Sequence, residues 1–161
     1  MISATHKTPI GTLTLVSDGE AITYVDFENT KYPSPKFPRG GDKIIEQAKK
    51  ELDAYFAGRL KEFKVPVRPQ GTDFQQAAWK ALTKIPYGAT RSYGDQARAI
   101  GNPKAVRAIG AANGRNPIPI IIPCHRVIGA DGSLTGFGGG METKQFLLEL
   151  EQGQRRLQAA S

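Results

Sequence analysis

Short runs of extended, β-branched residues fill the first 28 positions, each cut off by a turn, and from residue 42 onward apolar residues recur at helical spacing instead. That change of period makes the chain an α+β protein, with a small antiparallel sheet first and helices after it. ISATHK is closed by the Pro9-Ile10-Gly11 turn, TLTLVS by Asp18-Gly19, and AITYVDF completes the expected meander. NTKYPSPKFPRGG, rich in proline and glycine, is a loop leading to a helix that Asp42 can cap. Ile45, Ala48, Leu52, Tyr55 and Phe56 share one face of that helix, and Gly58 is placed to stop it. VPVRPQG reads as a linker between two halves. Beyond it, Thr72 and Gln75 make a capping box for a helix striped by Phe74, Ala77, Ala78, Leu82 and Ile85, with Trp79 in the core. SYGDQARAI and PKAVRAIGAAN follow as two short helical segments parted by Gly101-Asn102, with Pro103 in the first turn of the second. This is a helix-turn-helix pattern. A turn at 129–132, the glycine run GFGGG at 136–140 and a last helix through Phe146, Leu147 and Leu150 complete the chain.

The formal charge of +7 is concentrated in one region. Lys80, Lys84, Arg91, Arg98, Lys104, Arg107, Arg115 and Arg126 face Asp95 alone between residues 80 and 126, and the rest of the chain is neutral. A basic block over a helix pair points to a polyanion, and to nucleic acid before membrane because no amphipathic anchor accompanies it. A solvated basic face is the plainer account. The second helix of the pair carries Ala105, Ala108, Gly110, Ala111 and Ala112 with Lys104, Arg107 and Arg115, side chains too short to read a wide major groove. They suit close approach to a minor groove, into which one long arginine can be inserted. The competing account is a helix pair packed in a core. Arg155 and Arg156 either extend the basic surface or solvate the tail.

In 161 residues there is no stretch able to span a bilayer and no signal-like N-terminus, so a soluble, cytoplasmic protein is expected. One cysteine and two histidines allow neither an internal disulfide nor a four-ligand zinc site.

That single cysteine, Cys124, stands at the end of IPIIIPCHRVIG, beside His125. A free cysteine after such a run is ordinarily a small buried hydrophobe, and apolar burial raises its pKa. A reactive thiol needs a base. Neighbours in an extended chain point apart, so His125 could serve only through a turn at Cys124 or a bridging water. Glu151, at a helix end where the dipole disfavours a carboxylate, reads on its own as a surface residue. The glycines at 136 and 138–140 lack the Lys-Ser/Thr pair of a nucleotide-binding loop and read as a flexible pocket wall.

From GTDFQQAAWKAL through IPYGATRSYGDQARAIGNPKAVRAIGAANGRNPIPIIIPCHRVIGADGSLTGFGGG to KQFLLELE, residues 71 to 152, the chain resembles the O6-alkylguanine-DNA alkyltransferases, with N-P-x-P-x-x-x-P-C-H-R-V as the most specific element. The resemblance implies a ribonuclease H-like domain over 1–68 and a winged helix-turn-helix-like alkyltransferase and DNA-binding domain over 72–155. It implies that Cys124 takes an alkyl group from O6 of guanine in double-stranded DNA, that His125 deprotonates it through a water, and that Glu151 orients the histidine. Asn116 matches the asparagine that braces the active-site turn. Tyr93 matches a phenol directed at N3 of the flipped base, and Arg107 the arginine that fills the gap in the stack. The carbonyls of Cys124 and Val127 and the backbone N–H of Gly138 would meet the base. Phe137 stands where some members carry tyrosine, and Gly138 where others carry serine. The family cysteines of the zinc-binding members are missing from the first half. No cofactor and no obligatory protein partner are implied, and the expected state is a monomer. A DNA-binding regulator without chemistry is argued against by the presence of Cys124, and a Cys-His hydrolase has no support in the resemblance.

Overall fold

In the computed structural model, residues 1–134 and 137–153 are described; Gly136, the end of the 72–155 domain, Arg155 and Arg156 lie outside them. Three strands form the expected meander: β1 (Ile2–Thr8), β2 (Gly11–Ser17) and β3 (Ile22–Asp26), antiparallel in the order β1-β2-β3. Gly11 takes φ +106 in the first turn, a conformation that L side chains rarely adopt. Leu13, Leu15, Ile22 and Val25 turn inward against helix α1 (Lys43–Phe56). Asp42 caps α1 by accepting from the Ile45 N–H at 2.8 Å, and its other carboxylate oxygen accepts from Ser17 Oγ at 2.7 Å, so one side chain fixes the helix end to the sheet. Ile45, Ala48, Leu52 and Tyr55 are buried and Phe56 is half-buried, as the stripe predicts.

VPVRPQG is more than a tether. Ile22 N–H donates to Pro66 O and Arg68 N–H to Ile22 O, both at 2.8 Å, so this segment lies along β3. Helix α2 (Asp73–Leu82) has the predicted capping box. Ala77 is exposed rather than core, and the stripe rotates onto Ala78, Trp79 and Leu82 because the large indole, 2% exposed, takes the inner position and donates from Nε1 to Ala112 O at 2.8 Å. A two-residue strand β4 (Arg91–Ser92) leads straight into α3 (Tyr93–Ala99), whose cap is Ser92 boxed with Asp95. The second helix of the pair, α4 (Val106–Gly114), begins later than the sequence pattern suggests. Pro103 lies in the preceding turn, and Ala105 stands at the helix start with no side-chain cap. Helices α2, α3 and α4 close around Ala78, Ala97, Ile109 and Ala112. Gln96 and Asn113 exchange two buried amide bonds of 2.9 and 2.8 Å between α3 and α4.

Strand β5 (Val127–Ile128) pairs in parallel with β4, Arg91 opposite Val127 and Ser92 opposite Ile128. Helix α5 (Met141–Glu151) closes the described fold. One core runs through both halves: Leu13, Ile22, Ile45 and Tyr55 belong to the same buried cluster as Trp79, Leu82, Ile118 and Leu147. Among the described residues no helix is long and apolar enough to cross a membrane.

Candidate active site

The segment from Asn116 to Ile128 is short of backbone donors, because three of its residues are prolines. Pro117, Pro119 and Pro123 have no N–H, and those of Ile118 and Ile122 are used locally. Asn116 accepts from Ile118 N–H at 3.0 Å and donates from Nδ2 to Ile122 O at 2.8 Å, and Ile122 N–H closes on Ile118 O at 2.9 Å. Inside this loop Ile120 has φ +74, a left-handed conformation in a β-branched residue that costs about 1–3 kcal/mol. Burial of Ile118, Ile120 and Ile122 at 0–2% exposure supplies the restraint. After Pro123 the chain enters a 3-10 turn, Cys124–Arg126, which runs directly into β5. Of the two routes by which His125 could serve Cys124, a turn or a bridging water, the turn is present.

Cys124 is 7% exposed, and burial pushes its thiol up to about 11, with the Asn116 hydrogen bond and the Lys144 charge pulling weakly the other way. The resting sulfur is a protonated thiol. His125 is fully buried and its Nε2 lies 2.6 Å from Glu151 Oε2. The carboxylate can only accept, so Nε2 carries the proton and Nδ1 the lone pair. Nδ1 is buried and has no hydrogen-bond partner among the described residues. Burial holds the His125 pKa below its ordinary value, against the raising influence of Glu151, so the imidazole is neutral at neutral pH.

Glu151 is 6% exposed and not the surface residue its position suggests. Burial pushes its carboxyl up, but hydrogen bonds and charge from His125 and Arg126 outweigh that and bring it down to about 2. Arg126 Nε donates to Oε1 at 2.8 Å and its Nη2 to Oε2 at 3.1 Å, while Nη1 is anchored on Ile85 O at 2.6 Å. The Tyr55 hydroxyl, from α1, also donates to Oε2 at 2.6 Å. Lys144 of α5 is buried and donates to Val127 O at 2.7 Å. Sequence reasoning missed Arg126, Tyr55 and Lys144. The first had a signal, its place in Cys-His-Arg, but Tyr55 reads as a core residue of α1 and Lys144 as an ordinary polar position.

The other predicted residues fall in two groups, one packed in the core near the turn and one along α4 and a cleft whose lining does not include Cys124. Tyr93 starts α3 beside Gly110 of α4 and packs against both buried clusters. Val127 is buried next to the turn, and its carbonyl and that of Cys124 already accept from Lys144 Nζ and from Val127 N–H, each retaining a second lone pair. Lys104, Arg107, Ala108 and Arg115 are exposed along α4, and Ala105 is half-buried at its start. Phe137 and Gly138 form the far wall of a cleft of about 780 Å³ that Ala108, Gly110 and Ala111 border on the other side. Phe137 leans on Phe27, ring centroids 5.5 Å apart, and Arg115 stacks on Tyr32 at 3.9 Å.

Two family models match this chain: "6-O-methylguanine DNA methyltransferase, ribonuclease-like domain" over residues 1–69, and "6-O-methylguanine DNA methyltransferase, DNA binding domain" over residues 73–153. The methylated-DNA--protein-cysteine methyltransferase of Methanosarcina acetivorans is 50% identical over 153 residues, covering 94% of this chain and 98% of that one. That of Mycobacterium bovis is 54% identical, covering 92% and 90%. Among solved structures, Mycobacterium tuberculosis OGT in complex with DNA superposes with a TM-score of 0.90 at 51% identity, over 96% of this chain and 94% of that one.

Proposed function

The chain belongs to the 6-O-methylguanine DNA methyltransferase family, and on that footing we propose that it repairs O6-alkylguanine in DNA directly, moving the alkyl group to Cys124 in a single irreversible turnover. The observation that carries this reading is a buried thiol in the same turn as a neutral imidazole whose Nε2 is held by a carboxylate and whose Nδ1 is a buried acceptor with no partner among the described residues.

Residues 72–155 act as the DNA-binding and alkyl-transfer unit and 1–68 as the supporting domain. Lys104 and Arg115 meet the phosphates, and the small residues Ala105 and Ala108 let α4 approach the floor of the minor groove. Extruding the damaged nucleotide costs a few kcal/mol, less where the lesion already weakens pairing, and Arg107 fills the vacated place in the stack. In the pocket the base lies against Phe137. Tyr93 donates toward N3 and the Gly138 N–H toward O6, while the second lone pairs of the Cys124 and Val127 carbonyls receive the exocyclic amine. The thiol proton passes through a water to His125 Nδ1. The sulfur then forms its bond to the alkyl carbon as the C–O6 bond breaks, and its electron pair goes to the purine, which takes up a proton and is restored as guanine. Donors aimed at N3 and O6 make the purine a better leaving group.

The product is a thioether with no carbonyl for water to attack, and no second thiol is available in the chain to remove the alkyl group. Sulfur, substrate and water supply every atom of the reaction, so it runs without a cofactor, in a cytoplasmic monomer. Intact-protein mass after incubation with O6-methylguanine duplex is expected to rise by one methyl group per chain, mapped to Cys124. An unchanged mass refutes the assignment.

Arg107→Ala separates extrusion from chemistry. Repair of duplex DNA is expected to slow by about 5- to 150-fold, in proportion to a lost stabilisation of about 1–3 kcal/mol. Reaction with the free base analogue O6-benzylguanine stays within about twofold, because no stack has to be filled. Equal loss with both substrates places Arg107 in the pocket instead.

A further inference from the structure

Glu151 is bound by more donors than the orientation of His125 requires. Oε1 takes Arg126 Nε, and Oε2 takes His125 Nε2, Arg126 Nη2 and the Tyr55 hydroxyl. Tyr55 alone among these comes from the N-terminal half, 96 positions from Glu151. Its side chain is fully buried, and its ring is gripped by Phe56, Phe63 and Tyr87 at centroid distances of 5.3, 5.3 and 6.3 Å. Arg126 and His125 already satisfy the carboxylate, so the phenol is an added donor rather than a needed one.

Resting on the Cys124–His125–Glu151 reading above, we propose that Tyr55 is a positioning residue for alkyl transfer: sharing Oε2 with His125, its hydroxyl weakens the pull of Glu151 on the imidazole N–H and keeps Nδ1 free as the base. A carboxylate oxygen has a finite charge to distribute, and each donor draws on it. With the phenol in place, less of that charge is available to stabilise an imidazolium. Without it, Oε2 favours the doubly protonated ring, whose Nδ1 carries a proton and accepts none. The charged and titratable groups facing His125 are Cys124 and Arg126 from its own turn, Glu151 and Lys144 from α5, and Tyr55 from α1. Tyr87, with Lys61 over its ring, lies beyond Tyr55. Burial, Arg126 and Lys144 oppose the imidazolium and Glu151 favours it, so the phenol acts on the one group that favours the charged ring. The N-terminal domain thereby enters the reaction without touching DNA or substrate.

The test is the single-turnover rate of methyl transfer from O6-methylguanine duplex, at saturating DNA, as a function of pH. Tyr55→Phe keeps the ring packing and removes the donor. Its plateau above pH 8 is expected within about twofold of the unaltered protein, while the acid limb moves up by about half a pH unit or more, giving a several-fold loss near pH 6. A fluorinated tyrosine at position 55, whose more acidic phenol donates more strongly, moves the limb the opposite way and also decides the matter should the phenylalanine variant fold poorly. Uniform loss at all pH values, or limbs that stay in place in both proteins, overturns the proposal and leaves Tyr55 a packing residue. Failure of the unaltered protein to methylate Cys124 is a separate outcome, which overturns the underlying reading.

Discussion

Cys124→Ala is expected to end alkyl transfer outright, with no mass change on O6-methylguanine DNA, while the affinity for that DNA stays within about twofold. The first half follows from the uniqueness of the sulfur: no other thiol exists in the chain to substitute for it. The second follows from burial. A thiol pushed up to about 11 is ionised in only about one molecule in ten thousand at pH 7, so its removal changes no charge on the DNA-facing side. The group is small and 7% exposed, so the hole left behind costs about 1 kcal/mol, too little to unfold the turn. Electrophoretic mobility shift beside intact mass checks both halves. Loss of DNA affinity together with transfer would make the cysteine a structural residue of the binding surface. The same shift in pKa explains why a base is needed at all: at rest the nucleophilic form is rare, and the proton has to leave as the sulfur attacks.

Glu151→Gln is expected to be nearly as damaging, and for two reasons that measurement can separate. The amide removes the buried negative charge and leaves Arg126, 7% exposed, without its ionic partner; breaking one side of such a pair costs about 3–5 kcal/mol. It also permits an NH₂ group to face His125 Nε2, which selects the wrong tautomer and protonates Nδ1, so the transfer rate falls by about 10²-fold or more even where the protein is folded. Urea unfolding and single-turnover kinetics report the two losses independently. The pH dependence of stability supplies a third signature. Glu151 has its folded pKa depressed to about 2 from 4.5, so its stabilisation is full above about 4.5 and is lost as pH falls toward 2. His125 is also depressed when folded, so the unfolded chain takes up a proton first as pH drops through about 6.5, and stability declines there too. Glu151→Gln is expected to be less stable at pH 7 and to lose the lower of these two acid steps while retaining the upper. A variant that still unfolds with the same steepness between pH 4.5 and 2 would show that the ion pair contributes little.

What was legible in the sequence is what short range decides. Asp42, Thr72 with Gln75, and the turns at Gly11 and Gly58 are fixed by contacts within a few residues, and they stand where the pattern puts them. The start of α4 lies later than the pattern predicts because Pro103 is acceptable both in a helix's first turn and in the turn before it, and here it stands in the turn. Ala77 faces solvent, against the pattern, because the indole of Trp79 takes the inner position beside Ala78. At the site, Cys124 and His125 are neighbours in the chain, but the character of Glu151 is not local at all. It is set by donors at positions 55, 125 and 126, and a glutamate at the end of a helix bears no mark of them. Only the family resemblance raised it above a surface residue. Tyr55 and Lys144 carried no such prompt, because an aromatic on an apolar stripe and a lysine on a helix are the commonest things those residues can be.

The two-rung ladder between β4 and β5 settles a question of timing. On one side it continues into Tyr93 and the pair α3 and α4, and on the other it continues from the turn that holds the sulfur. On the proposed function, the part that meets the lesion and the part that reacts with it are thus joined by backbone pairing. Their mutual orientation, which a hinged arrangement would have to regain at each encounter, is set once, when the chain folds. For a molecule that reacts a single time, seating the nucleotide and aligning the nucleophile are then one event rather than two in succession.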